Sequence, residues 1–397
     1  MALNQMLSVL DEYDKFLQNF THPIIEWKTG QRRLIYHKNL KSTFHWRFNV
    51  FLGFGLHGLA GIFLLLLVLH GSVKLSPLPV LMVHIILLFL WCYNFFVGVA
   101  MVLHGEQFVD GWNLLLWEFR KLEVNVPKTT TKSKSPRPAE PIDLFWLAMS
   151  GMIYQFTFIP FILVLAAFIL RLDPLIHLLE MAKLTPLLHT LSYLSIFYVI
   201  VTTHFEGCRL YPLPIIVAFS LFKMLTCLIL SLTRARNQWR LHNMVTKYVR
   251  LFIILEKMRR LQEFFIAAFM LIAMCATVLF TFVTIRMYTN FPLWFYSFFP
   301  SVNVFIVIFV LIGLGVGIEV RTRSEEVLRM WEVWMWGICA GRERQIMRRR
   351  LDALRVMEFG GRIHYGRLYR LDRGIQLKYF EKVVIYTINL LLGVPRF

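Results

Sequence analysis

Apolar residues form a series of blocks, each about as long as a helix that crosses a membrane, and charged residues fall mainly between them. A helix needs about 20 residues to cross a hydrocarbon core of about 30 Å. Seven blocks reach or approach this length, at 48–70, 78–103, 143–170, 211–233, 263–289, 295–319 and 376–394. The pattern therefore predicts an all-α membrane protein with seven transmembrane helices.

Lysine and arginine concentrate in four of the intervening segments and set the expected orientation. These segments hold 34 of the 43 basic residues and are 1–47, 104–142, 233–262 and 320–375. Because basic segments are retained on the cytoplasmic side of a membrane, we expect all four there. With seven crossings, the N-terminus is cytoplasmic and the C-terminus extracellular, as for a multi-pass protein of the plasma membrane.

An eighth apolar stretch, 187–204, leaves the number of crossings between 171 and 233 ambiguous. The basic segments share one side only if the chain crosses the membrane once in this interval. We therefore expect 187–204 to lie in the outer interface or to cover the helical bundle. A single kinked span over 187–232, broken at Pro212 and Pro214, would give the same orientation.

Apolar stripes continue into the segments expected in the cytoplasm. Residues 237–262 carry such a stripe before the fifth span, and Glu319 to Met335 carries another beyond the sixth. A further amphipathic helix is expected over about 342–358, ended by the glycine pair that follows it. Helices with one apolar face pack together, so the sequence predicts a cytoplasmic helical anchor platform. Basic helices lying on anionic lipid are the alternative.

These patterns divide the chain into four parts. They are a cytoplasmic N-terminal segment, a six-helix bundle, the cytoplasmic anchor helices and a last helix, over 1–47, 48–319, 320–375 and 376–397. Within the bundle, residues 122–141 are rich in Thr, Ser, Lys and Pro, which predicts a flexible cytoplasmic loop.

Composition and motif content argue against several functions. The chain is 57% hydrophobic and 17% charged, unlike a soluble enzyme. The net charge is +19, but the basic residues lie between the apolar blocks, where they set membrane topology. We therefore expect no nucleic-acid partner. The 12 histidines are scattered singly and no catalytic motif occurs, so we expect no enzyme, metal or cofactor. The 24 acidic residues lie in loops or at span ends, which disfavours ion-coupled transport.

Lys223 lies deep inside a predicted span, ten residues from the inner end of 211–233. That separation corresponds to about 15 Å, more than a lysine side chain covers in full. Either Lys223 faces a water-filled or ligand-lined cavity, or backbone carbonyls and water within the bundle satisfy it.

The C-terminal region combines a Leu-rich helix, a small-residue turn, a hydrophilic stretch with an acidic residue, and a last helix bearing Tyr and Leu-Leu. The residues that carry this pattern are Leu351, Leu354, Gly360, Gly361, Asp372, Tyr386, Leu390 and Leu391. With the approach to the fifth span at 248–280, the chain resembles the arthropod gustatory and odorant receptor superfamily. Members of that superfamily are seven-helix ligand-gated cation channels with a cytoplasmic N-terminus.

The last helix departs from the superfamily pattern, which typically reads Thr-Tyr, five residues, then Gln-Phe. Here Ile385 precedes Tyr386, Thr387 follows it, and Leu392-Gly393 occupies the Gln-Phe positions. The resemblance is therefore to a divergent, gustatory-receptor-like member.

The resemblance implies a tetramer, homomeric or formed with related subunits, whose last helices line one central pore. By position the pore residues would be Ile385, Asn389, Leu392 and Arg396. Leu392 would form an apolar constriction that gates by dewetting, and Asn389 a polar ring. An interhelical hydrogen bond is the alternative role for Asn389.

The resemblance also implies a ligand cavity that opens outward between the second to sixth helices of one subunit. Aromatic side chains with few hydrogen-bonding groups suit a small, largely apolar ligand. The candidates are His84, Tyr154, Lys223, Thr281, Tyr288, Trp294, Tyr296 and Asn303. Each one individually is also compatible with ordinary packing.

The function expected is a chemosensory receptor that acts as a tetrameric, ligand-gated, non-selective cation channel. One alternative is a monomeric membrane transporter or scramblase-like protein with the same topology. The other is a non-conducting relative with the same fold, which the leucine at position 392 favours.

Overall fold

The computed structural model describes residues 3–17, 22–71, 78–124, 144–182, 185–233, 238–363 and 366–394. Most of the predicted loop 122–141, and the pore candidate Arg396, lie outside these ranges, while residues 122–124 belong to a helix.

The described ranges form a helical bundle with two short antiparallel hairpins. The helices are α1 (Leu3–Leu17), α2 (Phe44–Phe48), α3 (Gly55–Leu69), α4 (Leu78–Val124), α5 (Leu144–Ile169), α6 (Pro174–Met181), α7 (Pro186–Leu210), α8 (Pro212–Ser231), α9 (Gln238–Arg286), α10 (Leu293–Tyr296), α11 (Phe298–Ile338), α12 (Gly341–Asp352) and α13 (Arg373–Gly393). A π-helical segment, Asn49–Phe54, joins α2 to α3. The hairpins pair β1 (Ile25–Lys28) with β2 (Arg33–Tyr36), and β3 (Gly360–Ile363) with β4 (Gly366–Arg370).

Six helical segments among the described residues are long and apolar enough to cross a membrane, by length and composition. They are Phe44–Leu69, Val80–Leu122, Leu147–Met181, Pro186–Ser231, Trp239–Arg286 and Leu293–Ile338. The predicted helical membrane protein is thereby confirmed. The predicted block 376–394 forms α13, which carries Lys378, Glu381 and Lys382 and is not among the six.

α7 and α8 form one run of helix over Pro186–Ser231, joined through Tyr211. Tyr211 has right-handed helical dihedral angles, and its N–H donates to the Gly207 carbonyl oxygen. The two prolines that follow remove hydrogen bonds and favour a bend, but they do not have to end a helix. Residues 187–204 therefore do not form a separate helix but belong to one continuous helix, as in the alternative of a single span over 187–232.

Glu206 and Arg209 lie inside this joined helix, although the sequence placed charged residues in loops and at span ends. Their side chains pair at 2.6 Å and are almost completely buried. A buried ion pair offsets its desolvation only while both partners stay together, which makes this part of the bundle sensitive to substitution. The Tyr13 hydroxyl of α1 donates to the Arg209 carbonyl oxygen at 2.8 Å, and burial raises the pKa of Tyr13.

Three helices are much longer than a bilayer is thick. α4, α9 and α11 contain 47, 49 and 41 residues. At 1.5 Å per residue they span about 60–75 Å, against a hydrocarbon core of about 30 Å. The predicted continuations of the fifth and sixth spans are confirmed as helix, and the second span continues in the same way. We name the end where α9 finishes and α11 starts the upper end, and the end where α11 meets α12 the lower end.

The lower end differs in two details from the sequence prediction. α12 stops at Asp352, before the predicted 358, and Gly360-Gly361 forms strand β3 rather than a helix stop. A Cβ atom at Gly360 would lie 2.3 Å from the Tyr369 carbonyl oxygen, so the absence of a side chain permits this close pairing.

Candidate functional site

A large cavity lies between α4, α5, the joined helix α7–α8, α9 and α11. It encloses about 830 Å³ of atom-free space, part of it open to the surroundings. Its lining is almost entirely aromatic and aliphatic because α9 and α11 turn similar stripes toward each other. Those stripes are Phe269, Ala273, Ala276 and Phe280 on α9, and Phe298, Val302, Phe305 and Phe309 on α11. We call this space the main cavity.

Few polar groups reach the main cavity, namely Tyr93, Gln155, Cys208 and Tyr211. The rings of Tyr93 and Tyr211 stack with centroids 5.2 Å apart, and Phe156 lies 5.7 Å from Tyr211 on a nearly parallel plane. The Tyr211 hydroxyl donates to the Leu90 carbonyl oxygen at 3.1 Å, which fixes this ring against α4. These stacked rings form a flat aromatic surface that suits a flat, apolar molecule.

Two further cavities continue the main cavity along the bundle axis. The lower one has about 580 Å³ of atom-free space, part of it open to the surroundings, and shares Tyr93, Ile215 and Phe269 with it. The upper one has about 380 Å³ of such space, also partly open, and shares Leu90, Leu163 and Phe298 with it. Along α11 the linings run from Phe298-Phe299 through Phe309 to Gly313-Leu314, so the three spaces follow one another from the upper end downward.

The eight predicted ligand residues are not among the side chains that line the main and lower cavities. Tyr154 and Tyr288 are 64% and 65% exposed, and Trp294 is 39% exposed. Their apolar surroundings in sequence did not reveal which helix face they occupy. These three therefore lie on the outside of the chain.

The remaining candidates near the upper end make structural hydrogen bonds. Asn303 donates to the Thr281 hydroxyl at 2.9 Å and thereby ties α11 to α9. The Tyr296 hydroxyl donates to the Thr284 carbonyl oxygen at 2.8 Å. His84 is buried and lines a small space between α3 and α4.

Lys223 is half-buried and lies farther down the joined helix than the sequence suggested. Its neighbour Phe222 packs on Phe359, with ring centroids 4.7 Å apart, and Phe359 belongs to the segment between α12 and β3. Lys223 therefore lies at the level of the segment between α12 and β3, away from the upper end.

α13 separates its residues into a buried and an exposed face. Tyr379, Val383 and Thr387 are each 7% exposed and face the bundle, where α13 packs mainly on α9. The exposed face carries the predicted pore residues Ile385, Asn389 and Leu392, as well as Tyr386. Leu392 is 79% exposed. The Arg286 guanidinium at the end of α9 donates to the Leu391 carbonyl oxygen, which holds the end of α13 against the bundle.

Histidines that are far apart in sequence meet near the upper cavity. His57 of α3, Asp173 at the start of α6 and His204 of α7 are all buried. The His57 Nε2 atom lies 3.2 Å from an Asp173 carboxylate oxygen, and the His57 and His204 rings are 6.2 Å apart. Within the described part of the chain, no group of three or more His, Cys, Asp or Glu side chains is arranged to hold a metal ion.

Sequence reasoning missed the cavity lining although a usable signal was present. On α11, positions 298, 302, 305 and 309 repeat at intervals of four and three, as do positions 269, 273, 276 and 280 on α9. Such a repeat marks one face of a helix. This shared pattern of aromatic and small residues on two long helices predicts that they form facing walls of a cavity, whereas the predicted ligand residues are mostly polar or lie elsewhere.

No protein-family model and no curated protein matches the sequence. Solved structures do match. The insect olfactory receptor OR5 from Machilis hrabei superposes with a TM-score of 0.61 at 10% identity, over 99% of this chain and 98% of that one. The same receptor in complex with eugenol superposes with a TM-score of 0.57 at 11% identity, over 98% and 97% of the two chains. The chain therefore has the fold of an insect olfactory receptor, as the resemblance of its C-terminal region and of residues 248–280 implied.

Proposed function

We propose that the chain is a subunit of a chemosensory receptor that works as a ligand-gated, non-selective cation channel of the plasma membrane. The observation that carries the proposal is the main cavity, an aromatic space inside a fold shared with an olfactory receptor solved with a bound small molecule. The channel consists of four subunits, identical or related, each crossing the membrane seven times with its N-terminus in the cytoplasm.

The ligand is a small, largely apolar molecule that fills the main cavity. Burial of apolar surface contributes about 25 cal/mol per Å² to its affinity, and the stacked rings of Tyr93 and Tyr211 offer a flat contact. Eugenol, the compound in the similar receptor's complex, is a ring with short substituents and is a reasonable first probe.

The pore is formed by the exposed face of α13. A leucine that is 79% exposed, next to exposed Asn389 and Ile385, is expected to gain a partner in an assembly. Four copies around one axis would place Asn389 as a polar ring and Leu392 as an apolar constriction.

α9 provides the coupling between ligand and pore. The same helix lines the main cavity through Phe269 to Phe280 and supports the buried face of α13. Arg286 at its end holds the last turn of α13. A ligand that favours a different position of α9 therefore also shifts the equilibrium of α13.

A non-conducting relative with the same fold is the second candidate, and it is favoured by Leu392 and Gly393 at the positions where the superfamily has Gln-Phe. A ring of four leucines raises the barrier to hydrated ions.

Particle symmetry of the purified protein, combined with current recordings during application of eugenol and other small aromatic compounds, tests the proposal. Four-fold particles together with ligand-evoked current support the channel. Monomers or two-fold particles would overturn the homotetrameric pore. Four-fold particles without current at any compound, in cells with confirmed surface expression, would favour the non-conducting relative.

A further inference from the structure

We infer that the upper cavity is a subsite that selects ligands bearing a hydroxyl group, with His204 accepting a hydrogen bond from the ligand's O–H. This inference rests on the proposed ligand-receptor function and specifies the class of ligand: an apolar alcohol or phenol. Its apolar body lies in the main cavity and its hydroxyl in the upper one.

The upper cavity contains one polar side chain among the described residues that line it. His204 faces a wall made of Leu, Ile, Val, Ala and Phe side chains from α4, α5, α10 and α11. The two cavities share Leu90, Leu163 and Phe298, so a molecule in the main cavity is in reach of this space. A single polar group in an otherwise apolar chamber determines the orientation of whatever binds there.

The hydrogen bond that His204 makes within its own helix determines which ring nitrogen is left for a ligand. Its Nδ1 atom lies 2.8 Å from the Ile200 carbonyl oxygen. A carbonyl oxygen only accepts hydrogen bonds, so Nδ1 carries the hydrogen. In the neutral ring Nε2 is then an acceptor.

The neighbouring His57 has a different protonation state, which follows from its two partners. Its Nδ1 atom lies 2.8 Å from the Gly53 carbonyl oxygen, and its Nε2 atom lies 3.2 Å from an Asp173 carboxylate oxygen. The carboxylate beside Nε2 favours the charged imidazolium form of the ring, which offsets the Asp173 charge. Trp91 adds a ring face 4.8 Å away, which favours a cation.

This arrangement keeps His204 neutral. The positive His57 ring lies 6.2 Å from it, and a second buried cation so close would be repelled. One Asp173 carboxylate oxygen lies beside His57 Nε2, and the other accepts from the Leu175 N–H at 2.9 Å. His204 therefore presents a hydrogen-bond acceptor to the upper cavity at neutral pH.

A hydrogen-bond acceptor in an apolar chamber discriminates between ligands by the polar group that they carry. An alcohol or phenol donates to it, whereas an ether or a hydrocarbon leaves it unpaired and a carboxylate is repelled. Because a neutral hydrogen bond is worth only part of the binding free energy, we expect alcohols to bind about three- to tenfold more tightly than their methyl ethers.

Matched ligand pairs on the purified full-length protein in lipid nanodiscs test the inference. The pairs are eugenol and its methyl ether, 2-phenylethanol and its methyl ether, and 1-octanol and heptyl methyl ether. Affinities follow from the ligand-dependent rise in melting temperature. We expect the native chain to bind each alcohol more tightly than its ether. In His204→Phe the ratio of alcohol affinity to ether affinity should be near one. His204→Gln offers an N–H donor to the ethers as well, so its ratio should also fall toward one.

His84→Phe is the matched control because His84 is another buried histidine with an intrahelical Nδ1 contact, 2.7 Å from the Val80 carbonyl oxygen, but it lines a different space. Its alcohol preference should equal that of the native chain. Equal binding of alcohols and ethers to the native chain, or a preference that persists in both His204 variants, would overturn the inference while leaving the receptor function intact. Failure of every compound to bind would instead reject the proposed function.

Discussion

The lower end of the bundle is held together by buried hydrogen bonds, whereas the middle and upper parts contain connected cavities. At the lower end the Tyr248 hydroxyl lies 2.6 Å from the Ser324 hydroxyl oxygen and also donates to the Arg355 carbonyl oxygen at 2.8 Å. The Met357 N–H donates to the same Ser324 oxygen at 2.9 Å. Toward the upper end, the main and upper cavities lie between aromatic stripes.

This difference separates an anchoring role from a binding role. The lower end holds α9, α11 and the chain after α12 together through hydrogen bonds that tolerate little movement. A cavity forgoes the packing that its lining would otherwise gain, so it persists at a cost in stability that ligand binding recovers. We therefore expect the lower end to determine assembly and the upper end to determine ligand response.

The largest effect is expected from Trp331→Ala at the lower end. Trp331 is fully buried, and its indole N–H donates to the Leu232 carbonyl oxygen at 3.3 Å. Removing a buried tryptophan typically costs about 3–5 kcal/mol, so the melting temperature and the yield of intact particles should both fall sharply. Trp336→Ala, on the same helix but 58% exposed, should change neither. Equal melting temperatures for the two variants would contradict a packed lower end.

An intermediate effect is expected from Ala273→Leu, which adds three carbon atoms to the wall of the main cavity. Ligand sensitivity in current or binding assays should fall by about tenfold or more, because the added side chain occupies ligand space. Stability should change by less than about 1.5 kcal/mol, since the cavity has room.

Ala100→Leu makes the same substitution in packed core on α4, where the native alanine is 6% exposed. It should cost about 1–3 kcal/mol through overpacking and leave the ligand response of the surviving protein unchanged. If Ala273→Leu proved the more destabilising of the two, the space beside residue 273 would not be an open cavity.

The smallest effect on stability is expected from Leu392→Ala, since this leucine is 79% exposed in the subunit. The free energy of unfolding should change by less than about 0.5 kcal/mol. Basal or ligand-evoked current should rise, because the apolar constriction widens. Leu377→Ala, 75% exposed at the other end of α13, should leave current unchanged. An unaltered current in Leu392→Ala would remove this residue from the gate.

Much of the fold was predictable because its signals are local. The apolar blocks located six helical segments of membrane length, and the stripes at 237–262 and 319–335 predicted that α9 and α11 continue beyond the membrane thickness. The charge distribution favoured a separate helix over 187–204, whereas the structure has one continuous helix through Tyr211-Pro212, which the sequence allowed only as an alternative. Gly360-Gly361 predicted a helix stop, but both glycines lie in strand β3. Glycine permits close strand pairing as readily as it ends a helix.

The candidate site was much less predictable, for a reason visible in its residues. The predicted ligand residues are polar and aromatic side chains, and two of them, Tyr154 and Tyr288, face outward. A residue type in a uniformly apolar helix does not indicate which face turns inward, since lipid and core are both apolar. That choice depends on the packing of neighbouring helices.

By itself the sequence determined the helical membrane architecture and the continuation of α9 and α11 beyond the membrane thickness, because apolar length and helical periodicity act within one segment. Only the tertiary structure decided the main cavity, the division of α13 into two faces and the meeting of His57, Asp173 and His204. These features bring together segments separated by more than a hundred residues, and their hydrogen-bond roles depend on distances that no local pattern encodes. The surroundings of His57 illustrate this, since the fold places the Gly53 carbonyl oxygen beside one ring nitrogen and an Asp173 carboxylate oxygen beside the other.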